Sequence, residues 1–344
     1  MRSTAPLVTT DPVNATMRSF APPTEVAPGI LMHAQFANCY AVKTDAGLLL
    51  IDSGIKSGSA SLHAAVRAWS DQPLHSVIYT HGHIDHVFGV KPFLDAGARP
   101  QIIAQENCVD RFRRYQLTQG LNQAINRRQF GDETAVFPVD FAWPTVTFRD
   151  GLKLRLGTTA VTVTAGKGET DDHCFVWLPE QRCLFTGDFI VWRSPNCGNP
   201  QKVQRYPVEW AKALEQMAAL EPEWLFPGHG LAIHGRDAVQ RVLNDTAQYL
   251  RHIIDQVLTR LNAGETSEQI FHAVTSHPEL SKRPYLLEMY DHPKFIVRNL
   301  IRQWGGWWNG NAADLLPAPA EAQAREISAL AGGIEALIAR GRKA

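Results

Sequence analysis

The chain has 344 residues, room for about two domains at roughly 150 each, and its 44% hydrophobic and 20% charged residues are an ordinary globular composition. Lysine plus arginine and aspartate plus glutamate both number 34, so the formal charge is zero and the basic excess expected of a nucleic-acid partner is missing. No apolar run reaches the roughly 18 residues of a membrane span, and the five cysteines (39, 108, 174, 183 and 197) form no CxxC pair, which fits reduced thiols in the cytoplasm.

Residues 1–28 carry Pro6, Pro12, Pro22, Pro23 and Pro28 without apolar periodicity and read as a flexible arm, with no apolar stretch of a secretory signal. From Gly29 the pattern is strand-like: CYAVKT, a turn at Asp45-Ala46-Gly47, then the buried run Leu48 to Ile51. An amphipathic helix is expected over Ser59–Trp69, and the next strand, SVIYT, ends directly on HGHIDH. Strand, helix and strand with chemistry at a strand's C-terminal end is an α/β arrangement, because the loops there converge on a crevice. Residues 105–130 read as helical and contain Arg111, Arg113, Arg114, Arg127 and Arg128. Two alternating stretches follow, then CFVWLP and RCLFTGD as a hairpin ending on Asp188, then WLFPGHG, another short strand ending on a histidine loop.

The remainder differs in kind. Val239, Val242, Leu243, Leu250, Ile253, Ile254, Val257, Leu258 and Leu261 recur at helical spacing, and Thr266 to Gln269 is a capping-box candidate for the next helix. An aromatic stretch, QWGGWWNGN, and a proline break at 317–319 precede a last alanine-rich helix. The boundaries are therefore an arm over 1–28, an α/β domain over 29–235 and an all-α region over 236–344.

The 13 histidines cluster, and His81, His83, Asp85 and His86 lie within one hexapeptide. A tight loop after a strand aims such side chains at two neighbouring points, with His81 and His83 sharing one metal and Asp85 and His86 a second. Imidazole and carboxylate donors without thiolate suit zinc or a similar divalent ion in an open catalytic site. Cys174 and Cys197 have no basic partner motif, so a cysteine nucleophile is not expected.

THGHIDHVFG resembles the HxHxDH signature of the metallo-β-lactamase superfamily, and LLLIDSG resembles its second-strand motif, whose aspartate supports the metal loop from behind. TGD with Asp188 is similar to the family's metal-bridging carboxylate, and PGHG with His229 to the last ligand of its second metal. In the usual pattern a histidine stands about 19 residues before the bridging carboxylate. Here that position is Glu169, in GKGETDDH, with His173 four residues on, where many relatives carry a non-ligating histidine. The type III alkylsulfatases place a glutamate there, and YDHPKFIVRNLIRQWGGWWNGNAADLLP resembles part of their helical dimerisation region. They differ in using glutamate as the bridge, and they extend into a further C-terminal lipid-binding-like domain for which 344 residues leave no room.

The resemblance implies an α/β fold, the αββα sandwich, followed by the all-α region. It implies a dinuclear hydrolase with two divalent ions, zinc foremost, held by His81, His83, Asp85, His86, Glu169, Asp188 and His229. Asp188 bridges the ions and Asp85 orients the nucleophile, a water whose pKa the metals lower. The expected substrate is a small anionic or amphiphilic ester, an alkyl sulfate among the candidates, with a lactone, thioester or β-lactam as the alternative on the same core. A homodimer through the C-terminal helices is implied too. An iron redox enzyme of the flavodiiron kind has HxExDH, against His83 here, and a nuclease is disfavoured by the neutral charge.

Substrate selection is expected from Tyr115, Asn126 and Arg127 in the arginine-rich segment, since arginine pairs bidentately with carboxylates and sulfates. Trp192 and Arg193 are expected to overhang the site. Trp304, Trp307 and Trp308 are read as core or dimer contact ahead of an apolar entrance for an alkyl chain.

Overall fold

The structure is a computed structural model that describes residues 7–16 and 19–343. The chain runs β1 (Val8–Thr9), β2 (Thr24–Ala27), β3 (Ile30–Ala34), β4 (Asn38–Thr44), β5 (Gly47–Ile51), α1 (Ser59–Trp69), β6 (Leu74–Ile78), α2 (Lys91–Asp95), β7 (Gln101–Gln105), α3 (Asn107–Leu117), α4 (Gln119–Phe130) and β8 (Val146–Phe148). It continues with β9 (Gly151–Leu156), β10 (Thr159–Ala165), β11 (Cys174–Leu178), β12 (Cys183–Gly187), α5 (Pro207–Ala219), β13 (Trp224–Pro227) and β14 (Ala232–His234). The helices α6 (Arg236–Asn262), α7 (Ser267–Ala273), α8 (Pro293–Trp304), α9 (Ala320–Leu330) and α10 (Ile334–Gly341) close the sequence.

The strands form two seven-stranded mixed sheets, one in the order β2 to β8 and the other β1-β14-β13-β12-β11-β10-β9. Alternation explains why both faces of the first sheet are covered. In β5, Leu49 and Ile51 join the cluster between the sheets, while Leu48 and Leu50 join an outer cluster with Leu62 and Val66 of α1 and Phe112 of α3. β4 divides likewise, Tyr40 and Val42 inward and Cys39 and Ala41 outward. Strands buried on both faces read as continuous apolar runs, as Gly47–Ile51 does. The expected sandwich with outer helices is thus the observed one.

α6 starts next to the boundary expected at residue 235, yet the core is continuous across it. Val239, Val242, Leu243, Leu250, Ile253 and Ile254 pack in the same cluster as Leu225, Phe226 and Ile233 of the second sheet. Ile296, Val297 and Leu300 of α8 belong to it as well. α9 and α10 bury no residue. The capping box at Thr266 and Gln269 is formed, each side chain bonding the other's backbone N–H.

The N-terminal segment departs from the flexible arm expected over 1–28. Val8 and Thr9 pair in parallel with Ala232 and Ile233, β2 pairs with β3, and Leu7, Val26 and Ala27 are buried. Edge strands satisfy one ladder only and tolerate flanking prolines, so such short strands leave no periodicity to read. Residues 1–6, 17 and 18 of that arm lie outside the described residues. The helical stretch expected over 105–130 is two helices, divided at Thr118. Among the described residues no helix is long and apolar enough to cross a membrane.

Candidate metal centre

Strands β5, β6, β12 and β13 deliver their C-terminal ends to one edge of the sandwich. After β5, Asp52 takes a left-handed φ of 54°, which aspartate tolerates better than most residues. Its carboxylate accepts the Thr80 backbone N–H at 2.7 Å, the Thr80 hydroxyl at 2.7 Å and His86 Nδ1 at 2.8 Å. The HGHIDH loop is therefore seated on a buried carboxylate, and the Asp52–His86 bond directs His86 Nε2 away from it.

β12 ends on Gly187 with φ 50°, where a Cβ would meet Thr80 Oγ1 and stand 2.9 Å from His173 Nε2. Only glycine fits this turn, which presents Asp188. In the PGHG loop after β13, a Cβ on Gly228 would overlap Asp188 Oδ1. Backbone thus approaches the aspartate from two sides.

The side chains form two groups. His81, His83, Glu169 and Asp188 offer donor atoms within 4.8 Å of one another, and so do Asp85, His86 and His229. Asp188 joins the groups: Oδ2 is 3.7 Å from His81 Nε2, and Oδ1 is 3.3 Å from both His86 Nε2 and His229 Nε2. Asp85 Oδ2 is 3.6 Å from each of those two nitrogens. His229 Nδ1 is fixed by the Phe36 carbonyl at 2.7 Å. Asp188 Oδ1 and His86 Nε2 are buried with no hydrogen-bond partner among the described residues. Buried polar atoms are almost always satisfied, and unsatisfied donors converging on one space fit a bound cation.

The electrostatics agree. Burial alone lowers the imidazole of His86, but Asp188, Asp52 and Asp85 outweigh it and hold the group well above its ordinary value. His229, also opposed by burial, is raised to about 9 by Asp188 and Asp85. Burial and the neighbouring His86 and His173 push His81 well below the usual range. Burial, against Arg205, raises Glu169 to about 8. Asp188, though buried, is held well below the carboxylate range by His229 and His86. Imidazoles that gather protons beside crowded carboxylates mark a local negative potential that a divalent cation would neutralise.

Several supports carried little sequence signal. Arg205 forms a buried ion pair with Glu169, and Asn196 Nδ2 donates to Glu169 Oε1 at 2.6 Å. Asp172 accepts the Gly82 N–H at 2.8 Å with one oxygen and Arg111 Nε at 2.8 Å with the other. The acidic doublet 171–172 beside Glu169 was the available sign for Asp172, whereas Arg205 and Asn196 sit in a loop without one. His173 Nε2 accepts the backbone N–H of Asp188.

The expected substrate residues fare differently. Cys108, Arg111, Phe112 and Tyr115 share the inner face of α3, so Tyr115 is buried with its ring 5.2 Å from Phe137. Trp192 does not overhang the site: it is fully buried and donates to the Leu231 carbonyl at 2.8 Å. Arg193 bonds the Trp192 carbonyl and Arg127 the Ala135 carbonyl. Asn126 Oδ1 lies 3.5 Å from Lys202 Nζ, and Lys202 feels the charges of Glu169 and Asp85. A rim unmarked in the sequence lies beside His229, where the half-exposed Phe36 ring stands 5.6 Å from the His229 ring and 6.0 Å from Phe130.

Residues 34–229 match the family model described as metallo-beta-lactamase superfamily, and residues 266–344 match the one described as alkyl sulfatase dimerisation. A linear primary-alkylsulfatase of Pseudomonas sp. (strain ATCC 19151) is 30% identical over 85% of this chain and 60% of its own length. The alkyl/aryl-sulfatase BDS1 of Saccharomyces cerevisiae is 23% identical over 89% of this chain and 52% of its own. This chain thus spans between half and three-fifths of those relatives. The solved stereoselective inverting sec-alkylsulfatase Pisa1 from Pseudomonas sp. shares the fold with a TM-score of 0.80 at 21% identity, covering 94% of this chain and 56% of that one. With the histidine loop, the glycine-turned Asp188 and His229 all inside the matched span, the chain belongs to the metallo-beta-lactamase superfamily.

Proposed function

We propose that this chain is a dinuclear, metal-dependent hydrolase of alkyl sulfate esters, working with zinc, as a homodimer and in the cytoplasm. The observation that carries this reading is Asp188, which stands between two groups of buried and half-buried nitrogen and oxygen donors and is left with an unsatisfied oxygen among the described residues. In it, His81, His83 and Glu169 would hold one ion and Asp85, His86 and His229 the other, with Asp188 available to both. When bound, such ions supply Lewis acidity and lower the pKa of a water toward neutrality.

The chain's own residues do the rest. Asp85, beside His86 and His229, orients the attacking water and accepts its hydrogen bond. Asp52 fixes the His86 tautomer by accepting a hydrogen bond from its Nδ1–H, which leaves Nε2 to face the site. Lys202, in the loop that carries Arg205, offers a cation for the sulfate oxygens. Phe36 and Phe130, 38% and 54% exposed, offer an apolar rim for an alkyl chain. A charged head beside an apolar rim suits an amphiphile, and the sulfatase relatives favour a sulfate head.

The dimer reading rests on α9 and α10 and the segment before them. Leu316, Leu330 and Ile334 are 93%, 88% and 64% exposed, more apolar surface than a monomer commonly leaves in one stretch. Trp307 and Trp308, 77% and 47% exposed, extend it. Five buried free cysteines suit a reducing compartment.

The test is sulfate release, by ion chromatography, from a medium-chain alkyl sulfate with metal-loaded protein whose ion content is counted by mass spectrometry. Metal-dependent, saturable release is the expected result. Two bound ions with no release would overturn the sulfatase reading and move the search to lactones, thioesters and carboxylic esters.

A further inference from the structure

The loop between β12 and α5 reaches Glu169 on one side and the C-terminal helices on the other. Toward the site it supplies the Arg205 ion pair and the Asn196 hydrogen bond to the same Glu169 carboxylate. Arg205 also donates to the Asn196 carbonyl, which ties the two braces together.

Its other side is held by polar groups of residues 287–302. Asn299 Nδ2 donates to the Arg205 carbonyl at 2.8 Å, and Asn299 Oδ1 faces the Arg205 N–H at 3.4 Å. Asp291 Oδ2 accepts the Gly198 N–H at 2.7 Å, and the Asp291 carbonyl accepts the Ser194 hydroxyl at 3.0 Å. A Cβ on Gly198 would overlap the Phe295–Ile296 backbone, so the loop lies directly on the start of α8. Asp291, Asn299 and Arg205 are 3%, 4% and 2% exposed. Asp291 Oδ1 and Arg205 Nε are both buried without a hydrogen-bond partner among the described residues. Arg205 is thus paired with Glu169 on the metal side, while Asp291 on the helical side reaches it through its charge and not through an ion pair among the described residues.

α8 needs neither polar residue to dock, because Ile296, Val297 and Leu300 seat it in the main core. Two buried polar side chains, one bonding the backbone of Arg205 and the other the backbone of Gly198 in the same loop, call for another purpose. We propose that Asn299 and Asp291 are positioning residues for the metal centre. They set Arg205 and Asn196, which orient Glu169 toward the ion it shares with His81 and His83. The segment matched as a dimerisation region then completes the metal site of its own chain. The inference rests on the reading of Glu169 as a metal ligand.

Metal affinity of the full chain, by competition of zinc against a chelator, tests it without recourse to turnover. Glu169→Gln and Arg205→Ala serve as references, with Asn299→Ala and Asp291→Asn as the probes. Asp291→Asn keeps the acceptor for Gly198 and removes only the charge facing Arg205. The expected result is that each probe weakens one of two ions by roughly tenfold or more, the usual scale for groups that orient ligands, and leaves the other unchanged. In an Arg205→Ala background the probes should add nothing, since their effect passes through that arginine. A purely structural role would weaken both ions alike, and would persist without Arg205; either outcome overturns the proposal, as does wild-type affinity in both probes. If Glu169→Gln itself keeps both ions at full affinity, the ligand reading falls first and the positioning role falls with it.

Discussion

His173 Nε2 accepts the backbone N–H of Asp188 at 3.2 Å, and its ring stacks on Phe189 with centroids 4.0 Å apart. That nitrogen is thus occupied, and the histidine holds the turn that presents Asp188. Glu169, four positions earlier, lies 3.8 Å from His83 Nδ1. Glu169→Ala should therefore cost more bound metal than His173→Ala. Ion content by mass spectrometry decides it, and the reverse order would return the ligand role to His173.

Asp52 holds His86 and both polar groups of Thr80 at 2.7–2.8 Å. Asp52→Ala leaves those donors buried and unpaired and frees the imidazole to turn. Metal affinity is expected to fall roughly ten- to a hundredfold, with a stability loss of about 3 kcal/mol or more. Chelator competition and denaturant unfolding measure the two effects separately.

Burial, with Arg205 alongside, holds Lys202 at about 8, below the ordinary 10.5. Because the folded value is the lower one, the native state sheds this proton first. Between the two values the unfolded chain binds more protons, and stability gains as pH rises. Function runs the other way, since the cation offered to an anionic head is complete below pH 8 and lost above it. KM for an alkyl sulfate should climb as pH passes about 8, and Lys202→Arg should flatten the rise. A KM profile parallel in both proteins would remove Lys202 from substrate binding.

Gly228 lies so close to Asp188 that a methyl group there would overlap Oδ1. Gly228→Ala should displace the aspartate and deplete bound metal by more than roughly tenfold, on the scale of lost ligand orientation. Unchanged ion content in a folded Gly228→Ala protein would show that the loop yields instead.

Leu330 and Ile334 flank the turn between α9 and α10 and are 88% and 64% exposed. Leu330→Asp with Ile334→Asp should turn a dimer into a monomer in light scattering, with little loss of monomer stability because both side chains are mostly exposed in the single chain. A double variant that stays dimeric would place the contact elsewhere.

Much of this was legible because it is local. The HGHIDH hexapeptide follows a strand, so its donors converge wherever that strand goes, and the unbroken apolar run Leu48 to Ile51 marks a strand covered on both faces. The helical spacing from Val239 to Leu261 falls inside α6, three residues from its start and one from its end. Tyr115 shows the opposite case. Its arginine neighbours suggested a binding surface, but helical periodicity places it with Phe112 against Phe137 and Phe141.

The sequence by itself determined the donor set, its order along the chain and the strand ends that carry it, because ligand chemistry and strand periodicity are properties of short segments. Only the tertiary structure decided the pairings that depend on closing long loops. Arg205 meets Glu169 across 36 positions and Asn299 meets Arg205 across 94, and Val8 finds Ala232 at a sheet edge. Such contacts form when burial makes an unpaired polar group costly, and that cost exists only once the chain has folded around it.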